Sequence, residues 1–271
     1  MPARRTTPLM TRLMANPELP IGGLYRLLTW LSPAFPIGAF SYSHGLEAVV
    51  AAGAVNDAAT LQAWIGTTIR HGGGRIDADL LRDAHRAALS EDAAALDRAN
   101  RRGIAFRPTA ELRLETAAQG AAFLATVLAA WREPFLAAWA EEVRPEQTPS
   151  RCPLPIKGGE EITAAGDGGR PNPVCHAVVF GAAAARAGVP LAAALLGYLQ
   201  AFAGSLVSAG LRLGLIGQTD GQRILAALEN VVAGAATQAM ERDPEMFGAA
   251  NFAADIASMA HETQYTRLFR S

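Results

Sequence analysis

The sequence predicts an all-α fold, and three observations carry that prediction. Alanine, the strongest helix former, is the dominant residue across most of the chain. Alternating runs of Val, Ile, Thr and aromatics, the signature of half-buried strands, are almost absent; the longest β-like stretch, Val178-Val179-Phe180, stops at Gly181 and a run of alanines. Apolar residues recur instead at three- and four-residue intervals between glycine and proline stops. The chain of 271 residues is long enough to bury a substantial core as a single helical bundle of roughly eight to ten helices.

Residues 1–20 hold Pro2, Pro8, Pro17 and Pro20 and read as a loose tail, with the helical domain over 21–271. Leu24 to Leu31 forms a short apolar helix closed by Ser32-Pro33. Ser41 to Ala52 follows, with Gly53 as its stop. Asp57 caps the next helix, along which Leu61, Trp64, Ile65 and Thr68 share a face, and Gly72 to Gly74 end it. Asp77 to Leu89 places Leu80, Ala84 and Ala88 together. Ser90-Glu91-Asp92 opens a helix whose early acids and late Arg98, Arg101 and Arg102 both suit its dipole. Thr109 begins a longer helix that Pro134 breaks near Trp131.

From Val143 to Pro173 the composition changes: six prolines, paired glycines and no apolar period read as a linker or mobile loop. Helices return over Val174–Gly188, Pro190–Leu215 and Thr219–Met240, and a last one over about Phe252–Tyr265 leads into Thr266–Ser271.

Composition also narrows function. Hydrophobic residues make up 50%, charged residues 18%, and the formal net charge is −1, which excludes a mostly disordered chain and gives no general field for nucleic acid. Lys157 is the single lysine, so a P-loop or Schiff-base lysine has one candidate, and it precedes its glycines with no Ser or Thr after it. Cys152 and Cys175 build no disulfide framework and fall short of a four-cysteine zinc site; a reducing, cytoplasmic setting is expected. The stretch from Ala187 to Leu211 is uncharged and long enough to span a bilayer. Gln200, Ser205, Ser208 and its many small residues make it a buried core helix instead, and no membrane partner is expected.

Catalytic and metal-binding patterns are weak. His71-Gly72-Gly73-Gly74 has the composition of an oxyanion loop, but no Gly-x-Ser-x-Gly turn accompanies it. None of His44, His71, His85, His176 and His261 has another histidine at i, i+4 spacing, and no metal site or cofactor is expected. His44 near Glu47, and His261 beside Glu262, read as surface or packing residues. Two features remain costly for a bare scaffold: the turn Pro36 to Gly45, rich in aromatics and hydroxyls, and the tail Arg267-Leu268-Phe269-Arg270-Ser271. Apolar residues between arginines at a chain end suit docking to a partner, and Leu268 and Phe269 are expected to be mobile until a partner covers them.

At these residues the chain resembles the UreF family of urease accessory proteins. The resemblance runs from Leu27 onward through four blocks in order. The first is Leu31 to Glu47. The second holds Glu111-Leu112-Arg113, Glu115-Thr116 and Gln119-Gly120, followed by His176 to Gly181. The third is Leu206 to Gly214 with Gly217 to Gln222, and the fourth is Asp255 to Met259 with His261 to Tyr265 and Arg267 to Ser271. The resemblance implies a non-enzymatic, all-α protein that dimerises and binds UreD (also called UreH). It further implies recruitment of the GTPase UreG, the assembly delivering nickel to apo-urease. On that reading Gly38, Ser41, His44, Arg212, Gln218, Tyr265, Arg267, Leu268, Phe269 and Arg270 bind partners, the C-terminal ones UreD. The connection 143–173 is longer and richer in Pro and Gly than the family pattern. The competing reading from another class is a small helical enzyme with a site around His44, His176 and Arg212.

Overall fold

A computed structural model describes residues 19–143 and 173–271 of the chain. The tail expected over 1–20 lies outside the described residues but for its last two positions. So does the connection 143–173 but for its ends, and so do Cys152 and Lys157.

Among the described residues the chain is helical throughout, with no strand. Helices α1 (Ile21–Trp30), α2 (Leu46–Ala51), α3 (Ala58–His71), α4 (Gly73–Leu89), α5 (Ala93–Ala105), α6 (Ala110–Trp131) and α7 (Pro134–Val143) precede the connection. Helices α8 (His176–Arg186), α9 (Leu191–Arg212), α10 (Gln218–Glu241) and α11 (Phe252–Glu262) follow it, and 3-10 turns lie at Ala39–Ser41 and Pro244–Met246.

The caps behave as the sequence predicts. Asp57 accepts the Thr60 N–H in a reciprocal capping box, Asp92 accepts from Ala95, and Thr109 accepts from Leu112. Pro134 opens a new helix after Arg132, which takes the left-handed conformation that ends α6. Gly72 ends α3 as expected, but the next helix starts at Gly73 rather than at Asp77, so Gly72 is at once the C-cap of α3 and the N-cap of α4. A Cβ on Gly74 would lie 2.7 Å from the Ile69 Cα, so the glycines allow a sharp corner between two helices with nothing in between. Similarly, Ser41 and its neighbours form a 3-10 turn and Gly45 caps a shorter helix, because Gly38 and Gly45 take positive φ and interrupt the α-path.

The buried centre is the pair α4 and α8, with α6 packed on α8 and the α9–α10 hairpin closing the other side. Leu80, Leu81, Val178, Val179, Phe180, Leu195, Leu199 and Leu206 are fully buried in one continuous core. Rings gather where α1, α6, α8 and α9 meet: Trp30 and Phe180 both lie edge-on or tilted to Phe123, at 5.8 and 5.6 Å between centroids, and Tyr198 lies 5.3 Å from Phe180. Helix α9 is long and apolar enough to cross a membrane by length and composition, but it carries its apolar side into this core against α10, α4 and α3.

The chain returns from the connection through a clamp. Asn100 donates to the Pro173 carbonyl at 3.0 Å and accepts the Cys175 N–H at 2.7 Å. The His176 N–H reaches the Thr116 hydroxyl, and a Cβ on Gly120 would lie 1.9 Å from the Val174 carbonyl. The backbone therefore crosses α6 at a point only glycine permits.

A buried ion cluster ties α10 to α4. The Arg82 guanidinium, fully buried, donates to the Ala239 and Arg242 carbonyls at 2.8 and 2.9 Å, filling the C-terminal end of α10. Arg242 turns back to Asp79 at 2.5 Å. Burial raises the Asp79 carboxyl, against the pull of Arg242 and Arg82.

Candidate functional site

Residues of the 36–47 turn and of the 267–271 segment, far apart in sequence, meet in space. The segment runs beside the turn as a strap: the Arg270 N–H donates to the Ser41 carbonyl at 2.8 Å and the Ser43 N–H donates to the Ser271 carbonyl at 2.7 Å. The Ser43 hydroxyl bonds the same carbonyl. Glu47, on α2, holds the strap from below, one carboxylate oxygen accepting the Leu268 N–H at 2.7 Å and the other the Phe269 N–H at 3.0 Å.

Two further carboxylates, on successive turns of α6, complete the grip. Glu111 pairs with Arg267 and with His261, and Glu115 accepts from the Ser271 hydroxyl at 2.8 Å. Glu115 also holds His44 Nε2 at 3.0 Å and Gln119 at 3.0 Å. Burial would push the His44 imidazole down, but Glu115, by charge and hydrogen bond, and Asp77 behind it outweigh burial and hold it above the ordinary histidine value. Burial likewise opposes the Glu47 charge, yet the two backbone N–H groups and His261 keep that carboxyl below the usual range.

The strap corrects one expectation. Phe269 is not waiting for a partner: only 3% of it is exposed, and it joins the main core. Its neighbours Leu268, at 60%, and Tyr265, fully exposed, do face solvent. The two neighbours part because the chain bends here, with both N–H groups turned to Glu47, so Phe269 turns in where Leu268 turns out.

Of the other predicted residues, Gly38 caps the 3-10 turn with φ +70°, as its place after Pro36-Ile37 suggested. Arg212 ends α9, with its Nε 3.4 Å from the Ser208 carbonyl and its guanidinium stacked over Phe269. Gln218 opens α10 and is exposed, and no side-chain bond ties it to the strap. The structure thus gathers Ser41, His44, Arg212, Arg267, Phe269 and Arg270, and leaves Gln218 apart.

Beside the strap lies a cavity of about 350 Å³. Trp30, Phe35, Phe40 and Phe202 form its apolar wall; Asp77, Arg107, Glu115, His176 and Tyr198 form its polar one. The polar groups are spent on one another: Arg107 on Asp77 at 2.6 Å, and the Tyr198 hydroxyl on Asp77 at 3.1 Å. Burial pushes the His176 imidazole down to about 4, so it is neutral at ordinary pH, and burial pushes the Tyr198 phenol up. His44 and His176 share this cavity, whereas Arg212 is outside its lining, so the three residues of the alternative enzymatic reading do not converge. Among the described residues no group of three or more His, Cys, Asp and Glu is placed to hold a metal ion.

Sequence reasoning missed Glu47, Glu111 and His261 as parts of this site. Both glutamates stand inside quoted blocks, and a carboxylate inside an apolar helix face, as at Glu47 between Leu46 and Val50, was the available signal.

The UreF family model matches residues 55–229. The urease accessory protein UreF of Rhodopseudomonas palustris (strain BisB5) is 44% identical over 248 residues, covering 92% of this chain and 91% of its own length. The protein of that name from Bradyrhizobium sp. (strain ORS 278) is 44% identical over 251 residues, covering 93% of each. The one from Granulibacter bethesdensis (strain ATCC BAA-1260 / CGDNIH1) is 44% identical over 248 residues, covering 92% and 94%. With a helical fold, a strap that joins its first and last sequence blocks, and this similarity along nine-tenths of its length, the chain belongs to the UreF family of urease accessory proteins.

Proposed function

We propose that the chain is a non-enzymatic scaffold of urease maturation. It docks UreD (UreH) through α11 and the 267–271 strap, dimerises, and recruits the GTPase UreG so that nickel reaches apo-urease in the cytoplasm. The observation that carries this reading is the outer face of α11, where Phe252, Ile256 and Met259 lie at helical spacing and stand 73%, 65% and 51% exposed. Leu268 and Tyr265 add further exposed apolar surface at the same end of the chain. A face of that composition, carried on a helix tied to α2 and α6, suits a protein partner. The inward pairing of Arg107 and Tyr198 on Asp77 suits a structural role for these groups. In the same reading Arg212 and Gln218, at either end of the α9–α10 corner, face UreG, while Gly38, Ser41 and His44 shape the turn behind the strap.

Co-purification tests it. Tagged chain should retain UreD, and with UreD should retain UreG. An Ile256→Asp, Met259→Asp variant should fold normally and lose UreD. Retention of UreD by that variant would place the docking face elsewhere.

A further inference from the structure

Two acceptors on the wall of the cavity beside the strap meet no donor among the described residues. Asp77, Arg107 and Tyr198 are spent on one another, but Gln119 and His176 on the same wall are not. The Gln119 amide donates to Glu115 at 3.0 Å, which leaves its carbonyl oxygen without a donor although the residue is only 7% exposed. Tyr198 gives its hydroxyl proton to Asp77 and so offers His176 Nδ1, 3.5 Å away, only a lone pair. The ring proton of the neutral His176 therefore sits on Nδ1, and Nε2 holds an unmatched lone pair. The two acceptors are neighbours. Thr116, which bonds the His176 N–H, and Phe123, whose ring lies 5.6 Å from the imidazole, flank Gln119 on α6.

We propose that this cavity is a ligand site for a small, uncharged ring compound carrying an N–H or O–H donor, the ring lying between the aromatic wall and α9 and the donor meeting His176 Nε2 and the Gln119 carbonyl.

Helix α9 leaves the room. It faces the cavity with Ala201, Gly204, Ser205 and Ser208, all small and half-buried. A glycine within a helix costs stability, which close packing can offset. At Gly210 it does: a Cβ there would lie 2.6 Å from Leu61. At Gly204 a Cβ would have nothing within 4 Å, so no neighbour in the chain uses the space that the missing side chain opens. Trp30 and Phe35, 3% and 8% exposed, supply aromatic surface deep in the site, where a small molecule reaches and a helix of another protein does not. The volume of about 350 Å³ falls within the range of small-molecule pockets, about 300–1,000 Å³. Asp77 is paired with Arg107 and Glu115 with His44, so neither carboxylate calls for a charged ligand. A bare hydrocarbon would bury both acceptors unpaired, whereas a ring with a donor satisfies them.

The test titrates the full-length chain, labelled for NMR, with indole and with benzothiophene, two rings of one shape of which only indole has an N–H donor. Indole should shift the Gly204 amide and the Gln119 side-chain amide saturably, and bind about fivefold or more tighter than benzothiophene, the worth of one hydrogen bond. Gly204→Leu should fill the space, melt no lower than the unaltered chain and lose both rings. His176→Phe should keep benzothiophene and lose most of the preference for indole. The site is overturned by the absence of a saturable shift at Gly204 with either ring, or by equal affinities in the unaltered chain. Indole bound as before by Gly204→Leu, or a preference unchanged in His176→Phe, overturns it as well. The comparison of the two rings on the unaltered chain stands whether or not a variant folds.

Discussion

The guanidinium of Arg212, the last residue of α9, lies 4.2 Å from the centroid of the Phe269 ring. Burial lowers the Arg212 guanidinium from its ordinary value. The contact joins the end of α9 to the strap, so the surfaces proposed above for two partners share one pair of side chains.

Replacing Arg212 by alanine uncovers one face of Phe269. A loss of about 0.5–1 kcal/mol is expected, given the partial exposure of the arginine. Thermal melting checks the stability. Pull-down of UreG through UreD separates the two roles of the residue: a variant that melts lower but recruits UreG normally shows that Arg212 acts only as a cover for Phe269.

Leu268 and Phe269 should behave oppositely despite being neighbours. Phe269→Ala empties a buried ring site and should cost about 3 kcal/mol or more in denaturant unfolding. Leu268→Ala should leave stability within about 0.5 kcal/mol and weaken UreD by about 1–3 kcal/mol in a calorimetric titration. Equal stability loss in both would contradict the in-and-out alternation of the strap.

The two positive-φ glycines of the turn make another contrast. At Gly38 nothing lies within 4 Å of a built Cβ, so Gly38→Ala or Gly38→Val should cost only the strain of a left-handed residue, about 1–2 kcal/mol. At Gly45 the Cβ would lie 2.8 Å from the Ser258 backbone nitrogen on α11, so Gly45→Ala should cost more and also displace the docking helix. Unfolding midpoints of the two alanine variants give the order directly.

Two titrations set the pH limits of the turn. The folded Glu47 carboxyl is depressed, so its contribution is complete above the ordinary glutamate value of about 4.3 and is lost as pH falls through the lower folded value. The folded His44 imidazole is raised, so its contribution is complete below about 6.5 and is lost as pH rises through the higher folded value. Stability should therefore plateau in mildly acid solution. Glu47→Gln should flatten the acid limb, and His44→Gln should reduce the alkaline one, in unfolding curves taken across pH.

Arg82 carries the largest expected single-site cost outside the strap. Arg82→Met leaves Asp79 with less compensation in the core and uncaps α10, which should destabilise by about 3–5 kcal/mol. Asp79→Asn together with Arg82→Met should recover part of that loss, a coupling that a double-mutant cycle measures.

The contrast between what was legible and what was not follows contact range. Asp57, Asp92 and Thr109 act on the backbone three residues ahead, so their caps could be read directly. Gly72 to Gly74 marked the end of α3 but hid the start of α4 at Gly73, because a glycine stop and a glycine corner have one composition; the difference lies in how closely Ile69 approaches Gly74. The burial of Phe269 depends on Arg212 and on the core beneath it, and the pairing of His261 on Glu47 and Glu111, some 150 to 214 positions away, so no local pattern encodes either. The resemblance to UreF drew these blocks into one list without showing that they touch.

The clamp of Asn100, Thr116 and Gly120 on Pro173 to His176 has a bearing on protein engineering. It fixes the point where the polypeptide rejoins the bundle, independently of how much chain precedes it. A change of chain length ahead of Pro173 should therefore leave the register of α8 in place, since its own anchors set it.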